Sequence, residues 1–395
     1  MRLGAVAEVA WVFLRLGLSA FGGPIVHLGY FRRVLVERRA WLDEAAFAEI
    51  VGLCQFLPGP TSSQVAYCLG LRRAGLAGGL AAWAAFTAPS ALLMFAFAYG
   101  AAPLIGGAVG DGLIHGLKLA AVAIVAQAVW SMARSLCPDR PRAAIAGLAL
   151  LGLVVIPGPF SQAAVLLAGA LAGLWLCGQP AAAPGLKGDP GLVLPRGVGP
   201  VCLVLAFGLL AVGAVGPTPA WSQLFHAFYR AGALVFGGGH VVLPMLRDSL
   251  VRPGWVGAGS FLATYGAAQA LPGPLFSIAA GLGAISRQGP GGAAGAAIAL
   301  AGISMPGLLL VTGVAGAWTR INSLPRARAA MAGVNAAVVG VLAGALYNPV
   351  WTGAVFSPLD FALAAAAFVL LTVWRAPPLI VVLACALGGA VIALA

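Results

Sequence analysis

Two copies of the string Gln-x-Leu-Pro-Gly-Pro, Gln55–Pro60 and Gln269–Pro274, carry the chemistry most readily legible in this chain. Proline and glycine inside an apolar segment break a helix, and the helix that restarts afterwards presents unpaired N–H groups. With about half a positive charge from the helix dipole, such an end holds anions. The first restart reads Pro60-Thr61-Ser62-Ser63-Gln64 and the second Pro274-Leu275-Phe276-Ser277. Proline suits a first helical turn, and the hydroxyls of Thr61, Ser62, Ser63 and Ser277 can donate to an oxyanion. Upstream of each copy lies another shared string, in which Phe13, Arg15, Gly17, Phe21, Gly22 and Gly23 match Phe228, Arg230, Gly232, Phe236, Gly237 and Gly238. Those breaks restart at Pro24 and near His240. Four helix N-termini converging on one point would form a pocket for a small dianion. Backbone at Gly22, Gly23, Pro58, Gly59, Gly237, Gly238 and Gly273 would line it. The plainer reading is a kink that serves packing only, but duplication of the whole string with its polar neighbours is more than a kink requires.

Several side chains stand near these breaks. Arg15 and Arg230 occupy matched positions before the glycine strings. A cation at membrane depth costs about 2.5–3.5 kcal/mol on insertion scales and marks function by default. Its guanidinium fork suits an oxyanion; the competing reading is snorkelling to the interface. Lys118 aligns with Asn335 inside an apolar span and lines the pathway or sits at a helix end. Gln55 and Gln269 precede the Pro-Gly-Pro breaks and either bond the substrate or satisfy backbone freed by proline. His27 and His240 follow the glycine strings, where they could couple protons to transport or serve the turn. Asp43 and Glu44 read as a helix N-terminal turn beside the arginines at 32–39.

The elements that must hold these residues are dictated by composition. The chain has 395 residues, 61% hydrophobic and 8% charged, with a mean hydropathy of +1.00. That predicts an all-α polytopic membrane protein in a lipid bilayer. The opening Met1-Arg2-Leu3-Gly4 has no cleavable-signal pattern, so the first apolar segment is read as part of the body. Full spans are predicted at about 74–100, 112–135, 143–157, 160–178, 199–216, 291–317, 327–348, 358–374 and 377–395. Ahead of them, 11–34 and 44–71 in the first half, and 221–250 and 258–288 in the second, are interrupted by the breaks. Each side of a break is about 11–14 residues long, roughly half of a ~30 Å hydrocarbon core. The division is residues 1–178 as one repeat, 179–216 as a linker with an extra spanning helix, and 217–395 as a second repeat. Each repeat holds two broken, re-entrant helix pairs and about four spanning helices. The total is about thirteen helical segments, counting half-helices.

Charge sets the orientation. The loop at 134–142 holds Arg134, Arg140 and Arg142 against Asp139, whereas its equivalent at about 349–358 has no charge. Conversely, the loop near 101–111 holds only Asp111, and its equivalent carries Arg320, Arg326 and Arg328. Under the positive-inside rule the two repeats lie in opposite orientations, the extra helix supplying the odd crossing. The N-terminus is then cytoplasmic and the C-terminus outside.

The net charge of +12 does not point to nucleic acid, because the basic residues lie in short loops between apolar spans. Six scattered cysteines without a Cys-x-x-Cys pair predict buried hydrophobes, not a metal site or disulfide frame. No Gly-x-Ser-x-Gly, His-Glu-x-x-His, P-loop or dinucleotide string occurs, so neither an enzyme nor a cofactor is expected.

Together, Phe21-Gly22-Gly23-Pro24, Gln55-Phe56-Leu57-Pro58-Gly59-Pro60, Phe236-Gly237-Gly238-Gly239 and Gln269-Ala270-Leu271-Pro272-Gly273-Pro274 resemble the chromate ion transporters of bacteria and archaea. The likeness covers essentially the whole chain, in the long two-domain form. It implies export of chromate through the inner membrane, driven by an ion gradient and conferring resistance. Sulfate is isosteric with chromate, and an anion channel of the same architecture is the alternative from another class. The second copy has Gly239 for Pro24 and Leu275-Phe276 for Thr61-Ser62, which favours polar ligation by the first. One chain can form a complete pathway, and a homodimer is compatible with the same reading.

Overall fold

The computed structural model describes residues 2–20, 23–100, 107–156, 161–177, 190–192, 194–195, 197–213, 219–236 and 241–394. Among them every regular element is a helix, the arrangement by which a single segment satisfies its own backbone in lipid. Four helical stretches are long and apolar enough to cross a bilayer: Thr61–Gly100, Ala108–Leu136, Gly292–Ser323 and Pro325–Trp351. The protein is an all-α polytopic membrane protein. Its exterior carries large apolar side chains that water would not tolerate in such number, among them Leu148, Leu151, Val154, Trp175 and Val204.

The first repeat runs α1 (Arg2–Ser19), α2 (Pro24–Phe31), α3 (Glu44–Phe56), α4 (Thr61–Gly100), α5 (Ala108–Leu136), α6 (Arg140–Val155) and α7 (Ser161–Leu176). Helix α8 (Val198–Val212) follows alone. The second repeat runs α9 (Ala220–Ala233), α10 (Val242–Leu246), α11 (Ala258–Ala270), α12 (Ile278–Ile285) and α13 (Gly292–Val314), then α14 (Trp318–Ser323), α15 (Pro325–Ala345), α16 (Pro358–Thr372) and α17 (Pro378–Leu394). These seventeen α-helices among the described residues exceed the expected thirteen: two broken pairs and four spans in each repeat with one extra span already sum to more than thirteen, and α14 adds a short piece. Helices α2, α10 and α15 continue as π-helical turns, at Arg32–Arg38, Arg247–Val251 and Leu346–Trp351. Helix α4 joins the expected restart segment to the expected span at 74–100. The joint is a kink, where Ala74 and Gly75 leave helical geometry.

Matched elements make matched contacts. Helix α1 lies along α4 as α9 lies along α13. Helix α5 packs on α16 and α17 of the other repeat, and α15 packs on α6 and α7. The repeats therefore exchange helices, although residues 9–86 also build a core of their own, joined from the second repeat by buried Val311, Ala315 and Trp318. Helix α8 covers α13 and α9, where the Tyr229 hydroxyl donates to the Ala206 carbonyl at 2.8 Å.

Local chemistry fixes the entry to α3. Asp43 caps it by accepting from the Ala46 amide at 2.7 Å, a bond worth about 1 kcal/mol. Arg32 bridges Glu37 and Glu44, each at 2.6 Å, and Glu8 gathers Arg39 and Arg73. The expected turn beside the arginine cluster is thus formed.

Candidate functional site

Each Pro-Gly-Pro break is tied to the other repeat. The Gly59 amide donates to the Val235 carbonyl at 2.7 Å, and the Gly273 amide donates to the Ala20 carbonyl at 2.8 Å. Val235 leads into Phe236-Gly237, and Ala20 leads into Phe21-Gly22. Each Pro-Gly-Pro string therefore meets the residue leading into the other repeat's glycine string. Both glycines take the left-handed backbone, φ 128° at Gly59 and 97° at Gly273, which costs a side-chain-bearing residue strain. Gly59 rests against Gly307, next to the in-helix Pro306, and Gly273 rests against Ser90, next to Pro89. A methyl at Gly59 would stand 2.9 Å from the Gly307 Cα, whereas one at Gly273 would meet the Ser90 hydroxyl at 2.8 Å. Backbone cannot yield as a hydroxyl can. Gly59→Ala should cost about 1–3 kcal/mol and Gly273→Ala less, read as melting temperatures in detergent. Wild-type melting in Gly59→Ala would dissolve the latch.

The remaining expected residues fall into three environments. Gly22, Gly237, Gly238 and His240 lie outside the described residues. At the latches, Gln64 is buried and donates from Nε2 to the carbonyls of Pro58 (3.0 Å) and Gly307 (3.1 Å). Its Oε1 has no partner among the described residues. His27 is 1% exposed, and its Nε2 lies 3.0 Å from the Ala20 carbonyl. A carbonyl only accepts, so Nε2 carries the proton and Nδ1, without a partner among the described residues, is a buried acceptor. Gly23 precedes α2 with φ 83°. Ser62, Ser63 and Ser277 are buried, and Thr61 is half-buried. The Gly59 and Gly273 amides are used by the latches and are not presented to a ligand. Two cations have other partners among the described residues. Arg15 is exposed and stacks over Trp11 at 4.6 Å, while Arg230 reaches Ser249 at 3.4 Å.

Gln55 and Lys118 open onto two different cavities. One, of about 250 Å³, lies between the end of α3 and the start of α15 and is lined by Gln55, Phe56, Arg142, Trp318, Arg328 and Asn335. The Asn335 Oδ1 is buried without a partner among the described residues. Arg142 hydrogen-bonds Asp139 through its amide and guanidinium, which together hold that exposed carboxyl below its usual range. Trp318 donates to the buried Glu49 carboxylate at 2.9 Å. The other cavity, of about 730 Å³, is bounded by α5, α11 and α17 and holds Asp111, His115, Lys118, Ser260, Thr264 and Arg287. His115 pairs with Asp360 at 2.7 Å.

In the register that aligns Lys118 with Asn335, Asp111 matches Arg328 and His115 matches Ala332. The two cavities are therefore counterparts with different charge. They also differ in depth. On one side α11 closes on α5, with Gly266 against the Leu117 carbonyl so tightly that a methyl could not fit. On the other, the matching Gly52 lines the smaller cavity. Sequence reasoning treated Arg142 and Arg328 as loop charges and passed over Gly52, Gly266 and the His115–Asp360 pair. The signal was available only as cross-repeat alignment of positions that resemble one another little.

A family model described as Chromate transporter matches residues 7–174 and 222–390. A chromate transport protein of Pseudomonas aeruginosa is 29% identical over 356 residues, covering 84% of this chain and 77% of its own. One of Cupriavidus metallidurans is 27% identical over 343 residues, covering 86% and 81%. A probable chromate transport protein of Synechococcus elongatus is 27% identical over 347 residues, covering 87% and 84%. No solved structure matches the chain.

Proposed function

The chain belongs to the chromate transporter family, and from that membership we propose that it exports chromate, or a tetrahedral oxyanion like it, across the cytoplasmic membrane and so confers chromate resistance. It works as a secondary transporter by alternating access. The observation that carries this reading is the unequal state of two matched contacts: Gly266 is sealed on α5, while Gly52 faces a cavity below α15. Two inverted repeats in one chain give alternating access when such contacts are exchanged.

Arg142 and Arg328 stand at the mouth of the smaller cavity and attract a dianion. Both come from the positive loops, so this mouth is the cytoplasmic one. The anion gives up water and meets amide donors from Gln55 and Asn335 at the end of α3. Beyond Gln55 lies the first Pro-Gly-Pro break, with the hydroxyls of Thr61, Ser62 and Ser63. Closure brings Gly52 against the Val334 carbonyl, the counterpart of Leu117, and frees Gly266. The anion then leaves past Lys118 and Arg287 through the larger cavity.

Radiolabelled chromate uptake into inverted vesicles tests this, with sulfate as competitor and the proton and electrical gradients collapsed separately. Gradient-dependent accumulation is expected. Flux that only equilibrates would make the protein a channel, and full displacement by equimolar sulfate would make sulfate an equal substrate.

A further inference from the structure

A third cavity, of about 650 Å³, lies apart from both vestibules, between the C-terminal half of α6, the start of α7 and the π-helical turns after α10 and α15. Its polar wall carries Arg247, Asp248, Arg252 and Asn348, and its other wall is Leu151 and Val154 of α6. Both oxygens of Asp248 are engaged, one by Gln162 Nε2 at 2.6 Å and the other by Arg252 Nε at 3.4 Å. Arg247 instead donates to Asn348, to Oδ1 at 2.9 Å and the carbonyl at 3.5 Å. Both acceptors are neutral, and no carboxylate pairs with Arg247 among the described residues. With Arg230 directly behind Asp248, the wall holds an excess of positive charge.

The apolar wall faces the outside of the molecule: Leu151 is 59% and Val154 73% exposed. Helix α6 is part of the surface that meets acyl chains. Tyr347, 68% exposed, lines the same cavity, and Trp351 lies one turn further on with its ring tilted against Phe361. Exposed aromatic side chains at the end of a spanning helix mark the headgroup level of a bilayer. The arginines therefore stand at headgroup depth, above a greasy face.

We infer that this cavity binds an anionic phospholipid. Its phosphodiester lies between the guanidinium groups of Arg247 and Arg252, and an acyl chain runs down Leu151 and Val154. Arginine suits phosphate because its planar fork donates to two oxygens at once, and a basic pocket between spanning helices suits lipid headgroups. A free oxyanion would meet the same guanidiniums but gain nothing from the apolar wall. The inference is independent of the transport reading.

The test is native mass spectrometry of the detergent-purified full chain, titrated with phosphatidylglycerol, phosphatidylcholine or inorganic phosphate. Wild type should retain phosphatidylglycerol over phosphatidylcholine. The double variant Arg247→Gln, Arg252→Gln should bind phosphatidylglycerol about thirty-fold more weakly, the size expected for two arginines on an anionic headgroup. The control Arg320→Gln, Arg326→Gln removes the same charge from exposed positions elsewhere and should bind as wild type. Arg247→Lys, Arg252→Lys, which keeps the charge, should bind between the two, and equal elution volumes exclude misfolding. Equal retention of the two lipids by wild type overturns the inference. So does an equal loss in the control, or displacement of lipid by inorganic phosphate that itself binds.

Discussion

Leucine in place of Gly52 is expected to abolish chromate accumulation in inverted vesicles while leaving the protein folded. The cavity beside Gly52 is about 250 Å³, room enough for a leucine side chain in the conformation described here. The opposite conformation required by the proposed alternating access has no such room. There Gly52 must take against Val334 the place that Gly266 holds against the Leu117 carbonyl, where even a methyl has no space. Overpacking of this kind costs about 1–3 kcal/mol or more, which moves the balance between the two conformations by about ten- to a hundred-fold. Gly266→Leu should do the reverse, opening the larger cavity and destabilising the state seen here. The measurements are initial uptake rates and melting temperatures side by side. Wild-type uptake by Gly52→Leu would rule out exchange of the two glycine contacts.

The double replacement Arg142→Gln, Arg328→Gln is expected to raise the chromate KM about ten- to a hundred-fold with a smaller fall in maximal rate. Hydrogen bonds to charged groups contribute about 1.5–3 kcal/mol when formed away from bulk water, and partial exposure at the mouth reduces that. The two side chains come from different repeats, Arg142 on α6 and Arg328 on α15, yet they line one cavity. Raising the salt concentration should blunt the wild-type advantage, because attraction at an open mouth is screened. A KM that stays at the wild-type value in the double variant would remove these arginines from the entry path. Sulfate inhibition in the same assay reads whether the mouth selects on shape or on charge alone.

Much was legible before any fold was known. Composition demanded helices in lipid, and the duplicated Pro-Gly-Pro strings located the breaks between α3 and α4 and between α11 and α12. The cap at Asp43 followed from residue type and spacing. What the strings did with their backbone was not legible. The glycines within the breaks would offer free amides in isolation, but the amides of Gly59 and Gly273 are spent on Val235 and Ala20 of the opposite repeat. That pairing joins residues more than 170 positions apart, and no local pattern encodes it.

The sequence by itself determined that this chain is a duplicated helical membrane protein with broken helices. Those properties rest on local physics: apolar content, helix breakers and loop charge. Only the tertiary structure decided which polar groups share a space. It turned Arg15 outward onto Trp11 and set Arg230 beside Ser249, although the two occupy the same repeat position. It also gathered Arg142, Arg328 and Asn335 at the end of α3, and left Gly52 open where Gly266 is closed. Sequence symmetry cannot contain that last difference. It arises from packing between distant segments: Gly266 meets the Leu117 carbonyl of α5, whereas Gly52 lines the cavity beside α15.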